Sequence, residues 1–324
     1  MTHLTSNAAQ AAQDASVDDF APTRANYESE GYVIFRSLVP ASLIDSLLED
    51  YRTQIVSSKR RFFRQSTATW QKNKLTPAGN VRQSFLDIHD LPYTECESVC
   101  RCSRAILCHP AVREALSTLT GERQHSLMQS MLFDQNAATG AHQDWYFLDS
   151  VPRGHLLAGW FALEDIDKNA GRFYVLPRSN RQLFETTPDE SISTSLYVQK
   201  VTRYRDTHAH ELKAPALKKG DVLFWSSATV HGSLPTIDPR LSRKSLTAHY
   251  MPSRFEFGSE RGPVVPVLYH MYEGMPVRSI DRPYSRRAMA GRFVDHHVSE
   301  KYPRAYRQYL RLRGKLAPGT PDEP

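Results

Sequence analysis

From His142 to Asn180 the chain reads HQDWYFLDSVPRGHLLAGWFALEDIDKNAGRFYVLPRSN. Two short apolar runs, HLLAGWFALED and GRFYVLP, are parted by the turn formers Asn169-Ala170-Gly171, and the stretch opens on a His-x-Asp pair. Runs of this length between turn formers read as strands. The same texture continues in both directions. SLMQSMLFDQ lies upstream, closed by Ala138-Thr139-Gly140. Downstream, DVLFWSS follows Lys219-Gly220, and KSLTAHYM follows Ile237-Asp238-Pro239. Several short strands so punctuated predict a β-sandwich or barrel over about residues 127–252.

Before this region the pattern is mostly helical. GYVIFRSLV, residues 31–39, reads as a strand. Ser42 is placed to cap a helix over LIDSLLEDYRTQI, where Leu43, Leu47, Leu48 and Tyr51 recur at helical spacing. Residues 57–80 are basic and polar and predict an irregular loop. Residues 95–119 predict helix, with Pro110 as a break or a new start. Helices first and strands later point to an antiparallel core buttressed by helices, not to alternating βαβ units. With no Gly-rich loop between a strand and a helix, a nucleotide fold is disfavoured.

The expected organisation is a disordered Ala/Ser/Asp-rich lead-in over 1–26, one domain over 27–255, and a C-terminal extension over 256–324. The extension carries a basic helix in YPRAYRQYLRLRGKL. At 324 residues with 40% hydrophobic and 23% charged side chains, the composition is that of a globular protein. No stretch approaches the roughly 20 apolar residues of a membrane span. The first residues lack the basic start and apolar run of a secretory signal, so the expected location is cytoplasmic. The net charge of +6 suits an anionic substrate or a mildly basic enzyme, and no nucleic-acid-binding motif accompanies it. Oligomeric state is not readable.

Chemistry concentrates in few residues. On an extended segment side chains alternate, so His142 and Asp144 point to one side and can reach one metal ion. His231, after the strand DVLFWSS, offers a third ligand. Two imidazoles and a carboxylate on one face leave open positions, the arrangement of non-haem iron(II) oxygenases. Arg243, twelve residues after His231, heads a strand-like run, and a guanidinium is the natural partner for the distal carboxylate of 2-oxoglutarate. The four cysteines, Cys96, Cys100, Cys102 and Cys108, lack the spacing of common zinc modules and read as small buried thiols.

From about Glu30 to Pro252, roughly two thirds of the chain, the sequence resembles the phytanoyl-CoA dioxygenase family of iron(II)/2-oxoglutarate oxygenases. Four blocks carry the likeness in order: GYVIFRSLVPASLIDSLLEDY, the His142–Asn180 stretch, LKKGDVLFWSSATVHGSLP and SRKSLTAHYMP. The resemblance implies a mainly β fold with flanking helices, built on a double-stranded β-helix (a cupin-like jelly-roll). It implies His142, Asp144 and His231 as the iron triad and Arg243 as the co-substrate clamp. It implies an assisting hydroxyl at Ser233, a pocket-lining Trp160, and a Gln143 amide approaching the bound oxo acid. Iron(II), 2-oxoglutarate and O2 are the implied cofactors.

The implied activity is hydroxylation of a small molecule (a natural-product, amino-acid or lipid-derived substrate) with release of succinate and CO2. Trp145, Tyr146 and Phe147 are expected near the pocket, with Trp145 at its rim. The sequence departs from the family at Pro177-Arg178-Ser179-Asn180, where a P-G-S-H-like turn is common, and at Arg172 and Phe173. Arg172 or Arg178 is therefore a candidate for an anionic substrate group or for a structural ion pair. Asp144 is retained, which disfavours the halogenase variant. The competing reading is a non-oxidative metal-binding jelly-roll, an isomerase or ligand sensor, which has no reason to carry Arg243.

Overall fold

The computed structural model describes residues 21–182, 184, 194–258 and 267–280. The basic helix expected over 302–316 lies outside them, as do residues 1–20 of the expected lead-in.

Helix α1 (Arg24–Glu30) starts at Thr23, whose hydroxyl accepts the Asn26 N–H, and stops at Gly31 with φ 81°. That left-handed turn feeds β1 (Tyr32–Phe35) into the sheet. Helix α2 (Ala41–Asp50) continues as a π-helical turn through Val56. It starts two residues earlier than expected: Pro40 occupies the cap position with no side-chain bond, and Ser42 lies inside the helix. A proline there suits a helix start, because its fixed φ does not oppose the helix.

Residues 57–80 differ from the expected loop. β2 (Arg61–Phe63) and β3 (Trp70–Lys72) pair as a hairpin, followed by the short β4 (Phe85–Leu86). The basic Arg64 is buried there, with its guanidinium 4.3 Å from the Phe85 ring centroid and bonded to the Asn73 side chain. A charge that would mark a surface loop is thus accommodated inside, against an aromatic face and an amide oxygen. Helices α3 (Glu97–Leu107) and α4 (Pro110–Thr120) meet at Pro110, which starts the second.

Strands dominate from β5 (His125–Phe133) onward. They are β6 (Asp149–Val151), β7 (Leu157–Ala162), β8 (Phe173–Val175), β9 (Val222–Ser226), β10 (His231–Ser233) and β11 (Ser245–Pro252). Helix α5 (Thr194–Thr207) lies between β8 and β9. The large sheet runs β1-β9-β7-β11-β5, then two further strands, β14 (Met275–Arg278) and β13 (Tyr269–Tyr272), with β4 also on β5. A smaller sheet pairs β10 with β8, and His142 bridges to His231 beside it. Sheet pairing therefore continues past residue 255: β12 (Glu256–Gly258) pairs with β6, and β14 lies parallel to β5.

Alternation sorts the large sheet into two faces. Leu246, Ala248 and Tyr250 of β11 pack in one cluster with Ile44 and Leu47 of α2, Ile106 of α3 and Leu116 of α4. The opposite face sends Trp160, Leu223 and Trp225 against Phe173 and Val175 of the smaller sheet. Each such side chain contributes about 1.5–3 kcal/mol on burial. The result is a jelly-roll of two facing sheets with helices covering the outside of the larger one. Gly159 is needed at the crowded centre, since a Cβ there would meet ring atoms of Phe161 and Phe224 at 2.9 Å.

Candidate metal centre

Between the sheets, three side chains converge. His142 and His231 are held side by side by paired backbone bonds, His142 N–H to His231 O at 3.1 Å and His231 N–H to His142 O at 3.0 Å. Gln143 is extended (φ −117°, ψ 138°), and Asp144 opens a 3-10 turn that returns its carboxylate to the same side. Asp144 Oδ1 lies 3.6 Å from His142 Nε2 and 3.5 Å from His231 Nε2. Ligand atoms bound at about 2.1 Å to one ion at right angles stand roughly 3 Å apart, so a small inward movement suffices. Among the described residues this is the metal-competent group of histidine, cysteine and acidic side chains.

The local bonding prepares the ligands. Each imidazole uses Nδ1 on a carbonyl, His142 on Gly140 O and His231 on Thr229 O, both at 2.9 Å. Such bonds fix the tautomer and leave the Nε2 lone pair for a metal. Burial pushes His231 down to about 3, so its ring is neutral. Burial alone would raise the Asp144 pKa, but the facing histidines outweigh it and hold the carboxyl well below the usual range.

One cavity is lined by this triad and by Trp160, Ser233 and Arg243. Arg243 lies two residues before β11, 2% exposed, with Nη1 donating to Gly171 O at 3.0 Å and to Ser233 Oγ at 2.9 Å. Its Nε has no hydrogen-bond partner. Burial pushes its pKa from 12.5 down to about 9. The guanidinium is flanked by the rings of Phe133 and Trp160, at 5.8 and 5.9 Å from their centroids. A buried cation with spare donors and no carboxylate partner among the described residues is a receptor for an anion.

Not every expected residue joins this cavity. The Gln143 amide points away: its NH2 donates to the carbonyls of Gln182 and Ala228, and its oxygen accepts the Trp145 indole N–H at 2.7 Å. With its bonds used up inside the protein, it does not approach a bound oxo acid. Trp145 is core rather than rim, packed in a cluster with Tyr146 and Tyr197. Of that aromatic triplet, the exposed one is Phe147, with its ring 5.9 Å from His142. Arg178 is an ion pair with Glu30 and Glu211, and Arg172 donates to the Ile166 carbonyl. All four cysteines are free and buried, and burial pushes the thiols of Cys96 and Cys108 up to about 12.

Two neighbours of Asp144 were not expected. Trp225 donates its indole N–H to Asp144 Oδ2 at 2.9 Å, and His249 Nε2 stands 3.4 Å from the same oxygen. Both line the cavity. The signal for His249 was present: Arg243, Ser245, Thr247 and His249 follow the period-2 rule and share one face of β11.

The sequence profile of the family described as Phytanoyl-CoA dioxygenase (PhyH) matches residues 27–244. The chain belongs to the phytanoyl-CoA dioxygenase family. The description of that family names a dioxygenase. Within the phytanoyl-CoA dioxygenase family, the peroxisomal phytanoyl-CoA dioxygenase of Rattus norvegicus is 27% identical over 125 residues. That match spans 37% of this chain and 36% of the rat protein. Two solved structures share the fold. EctD from S. alaskensis, with 2-oxoglutarate and 5-hydroxyectoine, superposes with a TM-score of 0.52 at 18% identity, over 77% of this chain and 83% of EctD. The epimerase SnoN, in complex with Fe3+ and alpha-ketoglutarate, gives 0.52 at 18% identity, over 78% and 93%. Among the described residues no helix is long and apolar enough to cross a membrane.

Proposed function

We propose that His142, Asp144 and His231 hold iron(II), that Arg243 and Ser233 receive the distal carboxylate of 2-oxoglutarate beside Trp160, and that the enzyme hydroxylates a small organic molecule. The observation that carries this reading is the buried Arg243 guanidinium, with a free Nε donor and no carboxylate partner among the described residues, in the same cavity as the triad. The donor set fits the ion: two neutral imidazole nitrogens and one carboxylate, with three positions left for a bidentate oxo acid and O2. Iron(II), when bound, supplies the oxidising chemistry that couples decarboxylation of 2-oxoglutarate to attack on a substrate C–H bond.

The protein's own residues bind and orient. Gly140 and Thr229 carbonyls keep the imidazoles in the ligating tautomer. Arg243 fixes the far end of the oxo acid by charge-assisted bonds, so its keto-acid end is directed at the triad. The Trp160 and Phe133 faces keep that end dry, which strengthens the pairing. His142, with 19% of its side chain exposed, and the exposed Phe147 mark the side from which substrate approaches. A metal-binding isomerase or sensor has no use for an unpaired cation at the far end of the cavity. The proposed catalytic unit begins near residue 27 and runs past 255 to include β12 to β14, and a cytoplasmic location goes with this reading.

Hydroxylation is tested with 18O2. A panel of small-molecule candidates is scored by succinate release, and the product of the best is analysed by mass. One 18O atom in the product is expected. An epimerised or ring-closed product without added oxygen would replace hydroxylation with another outcome of the same class.

A further inference from the structure

We propose that Trp225 is a positioning residue for the Asp144 carboxylate: its indole N–H holds Oδ2, so that Oδ1 alone faces the two imidazoles. This rests on the assignment of His142, Asp144 and His231 as metal ligands.

The two oxygens of Asp144 have separate surroundings. Oδ1 faces His142 Nε2 and His231 Nε2 at 3.6 and 3.5 Å. Oδ2 accepts the Trp225 N–H at 2.9 Å. The sheet register accounts for this division. Trp225 of β9 pairs with Ala158 of β7, and Ala158 pairs with His249 of β11. These three form one row across the inner face of the large sheet. The middle member carries only a methyl group, and the rings on either side of it both reach Oδ2 of Asp144. His249 completes the row with Nε2 3.4 Å from Oδ2, a longer contact than the 2.9 Å indole bond. Trp225 is therefore the closer tie.

Trp225 also braces a second ligand. Its ring centroid lies 4.9 Å from that of His231, and Phe173 packs on it at the same spacing. It is 1% exposed, so the bond to the carboxylate is made out of water. A carboxylate free to turn can chelate through both oxygens and occupy a position that the co-substrate needs. With Oδ2 taken by the indole, Asp144 is held to one-oxygen coordination.

The test compares Trp225→Phe, which keeps a buried ring and loses the N–H, with Trp225→His, which keeps a ring N–H. The Phe variant is expected to melt close to the unaltered protein, to bind Fe(II) about 10–100-fold more weakly, and to show a shifted d–d spectrum when loaded with Co(II). Trp225→His is expected to recover part of the Fe(II) affinity. Unchanged Fe(II) affinity and Co(II) spectrum in the Phe variant overturn the proposal, as does a His variant no better than the Phe one. Unaltered protein that binds no Fe(II) overturns the ligand assignment instead. If Trp225→Phe does not fold, indole 15N NMR of the intact protein decides. Among the four tryptophans, one downfield indole proton should move upfield in Asp144→Ala; four indole protons indifferent to that change overturn the proposal.

Discussion

Replacing Arg243 with Met should have opposite effects on the free and the co-substrate-bound protein. In the free protein the guanidinium is buried and its pKa falls from 12.5 to about 9. At about 1.4 kcal/mol per pKa unit, carrying that charge without a counter-ion costs about 5 kcal/mol. The bonds to Gly171 O and Ser233 Oγ return about 1–3 kcal/mol. Methionine has a similar reach, no charge and an adaptable shape. The apoprotein should therefore gain about 2 kcal/mol and melt roughly 4 °C higher. The ligand tells the other half. Removing one partner of a buried, hydrogen-bonded charge pair costs about 2–5 kcal/mol, so 2-oxoglutarate should bind at least about 30-fold more weakly. Scanning calorimetry with Mn(II), with and without 2-oxoglutarate, reads both effects. The unaltered protein should melt higher with the oxo acid, and the variant should start higher and not move. A variant that still gains the full stabilisation from 2-oxoglutarate would refute the role of Arg243. One that melts several degrees lower without ligand would show the guanidinium to be a structural tie.

Three further outcomes follow from the geometry. Gly171→Ala should destabilise the fold by about 2 kcal/mol or more and weaken 2-oxoglutarate binding, read by melting and by titration. Gly171 has φ +78°, a Cβ there would meet Leu234 O at 2.8 Å, and its carbonyl holds Arg243. Burial pushes His125 down to about 4, so its ring is neutral in the fold. The unfolded chain takes up the proton first, near 6.5, and stability is therefore full above that pH and lost as pH falls towards 4; the loss is about 3 kcal/mol, and His125→Gln should flatten the urea-melt profile across this window. Cys96→Ser with Cys100→Ser should leave bound metal unchanged by elemental analysis, since both thiols are buried and protonated.

The strands were legible because their apolar runs are short and turn formers bound them. SLMQSMLFDQ, HLLAGWFALED, DVLFWSS and KSLTAHYM each contain the core of an observed strand. His142 and Asp144 were legible through spacing, since two residues apart on extended chain means one side. The β2–β3 hairpin was hidden because its stabilising cation, Arg64, reads as solvent-facing until Phe62, Phe85 and Asn73 are known to surround it. Gln143 and Trp145 were misjudged for a related reason. Proximity in sequence to two ligands says nothing about which way the intervening side chain turns, and Gln143 turns to the Gln182 and Ala228 carbonyls. Trp225 could not have been found by spacing, because its partner Asp144 lies 81 residues away and is met only through folding. Strands β12 to β14 were missed because they are three to four residues long and lie beyond the last long apolar run.

The central claim is that the triad and Arg243 together build one site for iron(II) and 2-oxoglutarate. An anaerobic optical titration of the apoprotein tests it most directly. A weak visible charge-transfer band should appear when both Fe(II) and 2-oxoglutarate are present, and with neither alone. In Asp144→Ala the band should vanish. A folded, metal-binding protein that gives no such band with both present would contradict the account.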